Sequence, residues 1–184
     1  MRYRRARARG GCYFFTLVTF RREKILTRGD NVQLLRDGMR RVMGVHPFRI
    51  DAFVLLPDHL HCIWTLPAGD ADFSMRWRLI KSDFTRWCTD RSTHAPTGSR
   101  RRKKEQAVWQ RRFWEHQLRD ELDFARHVEY IHYNPVRHGY AAAPLDWPFS
   151  SFHKYVRQGL YTRTWGAGED LKPKGMENMV GWVE

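Results

Sequence analysis

Hydrophobic and polar positions along the chain change period several times, and each change marks an element. Residues 12–20, Cys-Tyr-Phe-Phe-Thr-Leu-Val-Thr-Phe, are aromatic and β-branched and predict a buried strand. Asp30-Asn31 suits a helix start, and Val32, Leu35, Met39, Val42 and Met43 follow at helical spacing. His46-Pro47 ends that run, because proline disfavours the helical conformation in the residue before it. Residues 48–56 and 59–66 are strand-like and joined only by Pro57-Asp58, which predicts a hairpin. Phe73, Trp77, Ile80, Phe84 and Trp87 form one stripe of a helix over residues 73–88. Residues 91–108 hold Ser, Thr, Pro and Gly with the basic run Arg100–Lys104 and predict a long loop. A fourth strand is expected over 110–118 and a third helix over 120–137, closed near Gly139. Beyond residue 140, Trp147-Pro148, Ser150-Ser151 and scattered aromatics show no long element.

The order β-α-β-β-α-β-α predicts an α+β fold: a ferredoxin-like βαββαβ core with an antiparallel sheet and an added helix. Residues 1–184 read as a single domain. It would carry a basic arm over 1–11, a basic loop over 94–108 and a less regular extension over 140–184. Trp77, Trp87, Trp109 and Trp114 are expected in the core.

Composition sharpens this. Lys plus Arg number 33 against 20 for Asp plus Glu, a formal net charge of +13, and a surface this basic attracts polyanions. Aromatic residues make up 14%; most must pack, and some can stack on bases. Cys12, Cys62 and Cys88 form no CxxC pair, so neither a zinc knuckle nor a disulfide framework is indicated. No apolar h-region follows the N-terminal Met1-Arg2-Tyr3-Arg4-Arg5. No stretch approaches the roughly 18 apolar residues of a membrane span. The expectation is a cytoplasmic protein with no membrane partner.

The candidate chemistry lies in two motifs. In Leu56-Pro57-Asp58-His59-Leu60-His61-Cys62-Ile63-Trp64, His59 and His61 are two apart on a strand, so both face one side. Two imidazoles on a rigid strand can bind one metal ion. In Tyr130-Ile131-His132-Tyr133-Asn134-Pro135, Tyr130 and Asn134 are four apart and share a helix face. Asn134 offers a carbonyl oxygen suited to Mg2+ or Mn2+, although an Asn before Pro also ends helices. Tyr130 offers a nucleophile; Tyr133 is its rival, off the Asn134 register. His127 and Arg126 lie one turn before Tyr130, and His132 reads as a neighbour. Glu115 and His116 read as structural or supporting residues. Metal and tyrosine together suit phosphodiester cleavage through a 5′-phosphotyrosine bond, a step that another 3′-hydroxyl can reverse. The arm arginines Arg2, Arg4, Arg5, Arg7 and Arg9, and the run Arg100, Arg101, Arg102, Lys103 and Lys104, are candidate DNA contacts.

His59-Leu60-His61 resembles the His-hydrophobe-His motif of HUH endonucleases. Five stretches resemble, in order, the REP-associated tyrosine transposases, relatives of the single-tyrosine insertion-sequence transposases. They begin at Gly10-Gly11-Cys12, Leu55-Leu56-Pro57-Asp58-His59, Trp109-Gln110-Arg111-Arg112-Phe113-Trp114-Glu115-His116, Tyr130-Ile131-His132-Tyr133-Asn134-Pro135 and Asp146-Trp147-Pro148. The resemblance implies Tyr130 as catalytic nucleophile and His59, His61 and Asn134 as ligands of a divalent metal, Mg2+ or Mn2+. It implies endonuclease and strand-transfer activity on single-stranded DNA, folded as a REP-type palindromic hairpin with a tetranucleotide at its foot, in a bacterial cytoplasm at the nucleoid. The basic run Arg100–Lys104 is longer than the family pattern. A monomer is expected, since Tyr130 can reach its own hairpin. The alternative is a DNA-binding protein that recognises or regulates palindromic elements without cutting. A zinc hydrolase with an HxH strand would usually need a larger barrel.

Overall fold

The computed structural model describes residues 10–90, 97–102 and 106–168. In chain order its elements are β1 (Cys12–Val18), α1 (Asn31–Val45), β2 (Arg49–Leu55), β3 (His59–Thr65), α2 (Phe73–Trp87), α3 (Gly98–Arg102), β4 (Trp114–Gln117), α4 (Glu121–Arg137) and α5 (Phe152–Arg157). The strands form one antiparallel sheet in the order β2-β3-β1-β4. That is the ferredoxin-like α+β arrangement, with each βαβ crossover straddling a central strand.

Alternation along the strands sorts the core into two layers. Tyr13, Phe15 and Leu17 of β1, with Leu60, Cys62 and Trp64 of β3, pack under α1 and α2. The Trp64 and Trp77 rings stack there at 3.9 Å. Phe14 and Ile63 point the other way and meet Val128, Tyr130 and Ile131 of α4. A central strand covered on both faces buries every position, so β3 reads as a continuous apolar run in which both histidines are buried.

The structure corrects several expectations. β1 ends at Val18, not residue 20, because the chain turns through Arg21 and Arg22 at φ 54° and 55°. β4 spans only Trp114–Gln117, since the chain before it meets β1 through the isolated Thr19–Trp109 bridge. The loop expected over 91–108 contains the helical turn α3. Trp87 is no core residue: it ends α2 and is 63% exposed. In its place α2 buries Arg76, whose guanidinium meets the Asp70 carboxylate at 2.6 Å and the His46 and Pro47 carbonyls at 3.1 and 2.9 Å. Burying a charge requires such pairing and hydrogen bonding.

After residue 140 the chain is more ordered than its pattern suggests. Residues 147–151 run along β2: Ser150 bridges Val54, Leu55 donates its N–H to the Phe149 carbonyl, and Trp147 Nε1 donates to the Leu55 carbonyl. This covers an edge that would otherwise invite pairing with another chain. Among the described residues, no helix is long and apolar enough to cross a membrane.

Candidate functional site

The hairpin turn between β2 and β3 places His59 and His61 on the sheet face under α4. Each is held by a different neighbour. Thr16 Oγ1 lies opposite on β1, 2.8 Å from His61 Nδ1. Asp58 Oδ1 lies 2.6 Å from His59 Nδ1. Arg22 in turn donates to Asp58 Oδ2 at 3.1 Å, reaching it from a left-handed backbone conformation (φ 55°) that non-glycine residues seldom adopt. Burial opposes ionisation of Asp58, but His59 and Arg22 outweigh it and hold the carboxyl below its ordinary range.

Both imidazoles therefore spend Nδ1 on a support and turn Nε2 to the site. The two rings lie 4.9 Å apart. His61 Nε2 is buried with no hydrogen-bond partner among the described residues. Burial, and then the charges of His59, His138, Arg137 and Arg22, keep His61 well below its ordinary pKa. Its lone pair is thus available at neutral pH.

α4 supplies the rest. Asp120 caps its first turn by accepting from the Asp123 N–H at 2.8 Å. The helix continues through Asn134-Pro135 to Arg137, so Asn134 is no terminator here. Positions 130, 134, 137 and 138 share one helical face. The Tyr130 ring lies 5.2 Å from the His61 ring, and the residue is 1% exposed. Asn134 is fully buried, and neither Oδ1 nor Nδ2 has a partner among the described residues. Arg137 Nη1 donates to Tyr130 Oη at 3.3 Å, with its guanidinium 5.6 Å from the ring centre. The His138 ring lies 5.1 Å from His59. Tyr133 turns away toward Trp165, at 6.5 Å, and His132 bonds Ser151 Oγ at 2.8 Å.

Sequence reasoning had not assigned Thr16, Asp58, Arg22, Arg137 or His138. For Arg137 and His138 a signal existed, the helical register from Tyr130. Thr16 and Arg22 become neighbours only when β1 pairs with β3. A second group lies beside the first: His116, Asp123 and His127 offer ligand atoms within 4.8 Å of one another. His116 Nε2 meets Asp123 Oδ2 at 2.9 Å, and His127 Nδ1 meets the Asp123 carbonyl at 2.8 Å. The Phe14 ring separates this group from His61 and Tyr130, at 4.8 Å from His127 and 5.5 and 5.9 Å from the other two.

The basic candidates divide. Arg2, Arg4, Arg5, Arg7, Arg9, Lys103 and Lys104 lie outside the described residues. Arg100 departs from the expectation of a solvent-facing contact. It is buried, donates to the Gln106 and Trp109 carbonyls at 3.2 and 3.0 Å, and covers the Phe20 ring at 4.5 Å. Arg101 and Arg102 are exposed.

No protein-family model matches the chain. It is 45% identical over 164 residues to the REP-associated tyrosine transposase of Escherichia coli (strain K12), covering 89% of both chains. A protein of Haemophilus influenzae bearing the same family name is 40% identical over 173 residues, covering 94% of this chain and 97% of the relative. Among solved structures, a REP-associated tyrosine transposase bound to a REP hairpin is 42% identical, with a TM-score of 0.75 over 95% of both chains.

Proposed function

The chain belongs to the REP-associated tyrosine transposases, and from that premise we propose that it is a metal-dependent endonuclease and strand transferase. Its substrate would be single-stranded DNA folded as a REP-type hairpin with a recognition tetranucleotide at the foot, in a bacterial cytoplasm. The observation that carries this reading is the position of Tyr130, 5.2 Å ring to ring from a His61 whose Nε2 is unpartnered among the described residues.

The donor set fits a divalent ion. His61 Nε2 and Asn134 Oδ1 are buried polar atoms without partners among the described residues, an arrangement that costs free energy unless something is bound. His59 would be the third ligand. Two imidazoles and an amide oxygen, with water and phosphate oxygens completing the shell, suit Mn2+ or Mg2+. When bound, such an ion polarises a non-bridging phosphate oxygen.

The chain's own residues do the rest. Asp58, which can only accept, keeps the proton of His59 on Nδ1, and Thr16 holds the His61 ring in place. A phenol has an ordinary pKa of about 10, so Tyr130 needs help to react near neutral pH. Arg137 supplies it: a guanidinium hydrogen bond favours the phenolate. Tyr130 Oη gives up its proton to water and attacks phosphorus in line, the P–O3′ bond breaks, and the leaving 3′-oxygen takes up a proton from water. The new 5′-phosphotyrosine retains the ester bond, so a second 3′-hydroxyl can displace the tyrosine and join strands. Tyr130 meets the histidines of its own chain, which supports a monomer.

One observation favours the non-cleaving, DNA-binding alternative: Tyr130 is 1% exposed, so a phosphate must gain entry to it. A labelled single-stranded REP-type hairpin incubated with protein and Mn2+ or Mg2+ separates the two readings. A metal-dependent cut, with a covalent adduct mapping to Tyr130 and lost in Tyr130→Phe, is expected. Tight binding with neither cut nor adduct in either metal would establish the alternative.

A further inference from the structure

Among the described residues, a cluster of unassigned positive charge lies across the sheet from Tyr130. A groove of about 740 Å3 runs between α2 and the segment leading into β4. Arg78, Lys81, Arg86, Arg100 and Arg111 line it, and no carboxylate does among the described residues. Trp77, Trp109 and Phe113 supply its apolar wall. α2 packs on the sheet face opposite His59 and His61, so the groove is separate from the candidate cleavage site.

Its cations are held close together. Lys81 Nζ donates to the Gln110 carbonyl at 2.7 Å and lies 5.9 Å from the Trp109 ring centre. Burial, and then the facing Arg100 charge, push Lys81 down to about 8. Arg111 is steadied by Ser99 Oγ at 3.0 Å. Arg78 and Arg86 are exposed, with no ionic or hydrogen-bonded partner among the described residues. They are eight positions apart on one face of α2, about 12 Å along the axis. Cations crowded against apolar walls repel one another, and a bound polyanion relieves that repulsion. Two arginines about 12 Å apart along a helix, with Lys81 and Arg111 on the same groove, suit a chain of phosphates better than one small anion.

We infer that this groove is a second DNA contact, which holds the phosphodiester backbone at a distance from the reacting phosphate. The inference rests on the DNA-acting reading above. β4 is the sheet edge between groove and α4, so a strand leaving the groove reaches the Tyr130 face by passing around that edge. Such a contact grips without reading sequence.

The test compares wild type with Arg78→Gln/Arg86→Gln, and with Arg36→Gln/Arg40→Gln, which removes two exposed arginines of α1 outside the groove. Binding to a single-stranded REP-type hairpin, and to an unrelated single strand of equal length, is measured across a salt series. The groove variant should flatten the slope of log K against log salt by about 1.4, at about 0.7 per lost single-strand phosphate contact. The loss should be equal on both oligonucleotides, with the α1 variant matching wild type. An unchanged slope in the groove variant, or the same flattening in the α1 variant, overturns the inference. Failure of wild type to bind or cut the hairpin would instead overturn the DNA-acting reading, and the groove contact with it.

Discussion

Thr16 Oγ1 meets His61 Nδ1 at 2.8 Å across the β1–β3 pair, where the two residues are direct register partners. The hydroxyl engages Nδ1 and holds the ring so that Nε2, not Nδ1, faces the site. Thr16→Val keeps the shape and removes the bond. Losing such a support typically weakens metal binding by about 10–100-fold. Mn2+ titration of the variant should show a loss of that order with the thermal midpoint little changed. Wild-type affinity would mean that packing alone orients His61.

The Arg137–Tyr130 contact makes a kinetic prediction. A charge-assisted hydrogen bond contributes about 1.5–3 kcal/mol, so Arg137→Gln should slow cleavage about 10–100-fold. Because the contact is made to the attacking oxygen, single-turnover cleavage should slow while hairpin affinity changes little. A matching loss of hairpin affinity would assign Arg137 to substrate binding instead.

Arg100 is predicted to matter for folding. Its guanidinium satisfies two backbone carbonyls and covers Phe20. Arg100→Ala leaves both acceptors unpaired and should cost about 2–4 kcal/mol, read as a lower urea midpoint. Arg101→Ala, at an exposed neighbour, should change stability by less than about 0.5 kcal/mol.

Lys81 makes stability depend on alkaline pH. Its folded pKa of about 8 lies below the ordinary 10.5. Between these values the unfolded chain keeps a proton that the folded chain has released. By linkage, its contribution is complete above 10.5 and is lost as pH falls toward 8. The urea midpoint of wild type should therefore gain on Lys81→Gln between pH 8 and 10. Parallel curves would refute this.

Much of this protein is legible from its sequence. The spacing of Val32, Leu35, Met39 and Val42, and of Phe73, Trp77, Ile80 and Phe84, marks α1 and α2. The two-residue gap between His59 and His61 sets them on one face, and the four-residue gap between Tyr130 and Asn134 does the same. Local periodicity carries all of this, because backbone geometry alone sends side chains to one side or the other.

What the sequence could not determine depends on which elements meet. Trp87 looks like part of the α2 stripe but lies beyond the layer it would enter, while Arg76 is buried because Asp70, His46 and Pro47 converge on it. Arg100 belongs to a basic run, yet Phe20 and two carbonyls draw it inside. Residues 147–151 lack strand periodicity and are held along β2 by backbone and side-chain hydrogen bonds. The sequence by itself determined the ferredoxin-like order of elements and the faces bearing His59, His61, Tyr130 and Asn134. Only the tertiary structure decided that Thr16, Asp58, Arg22 and Arg137 support them, because hydrogen bonds between residues distant in sequence exist only after the sheet and α4 have packed.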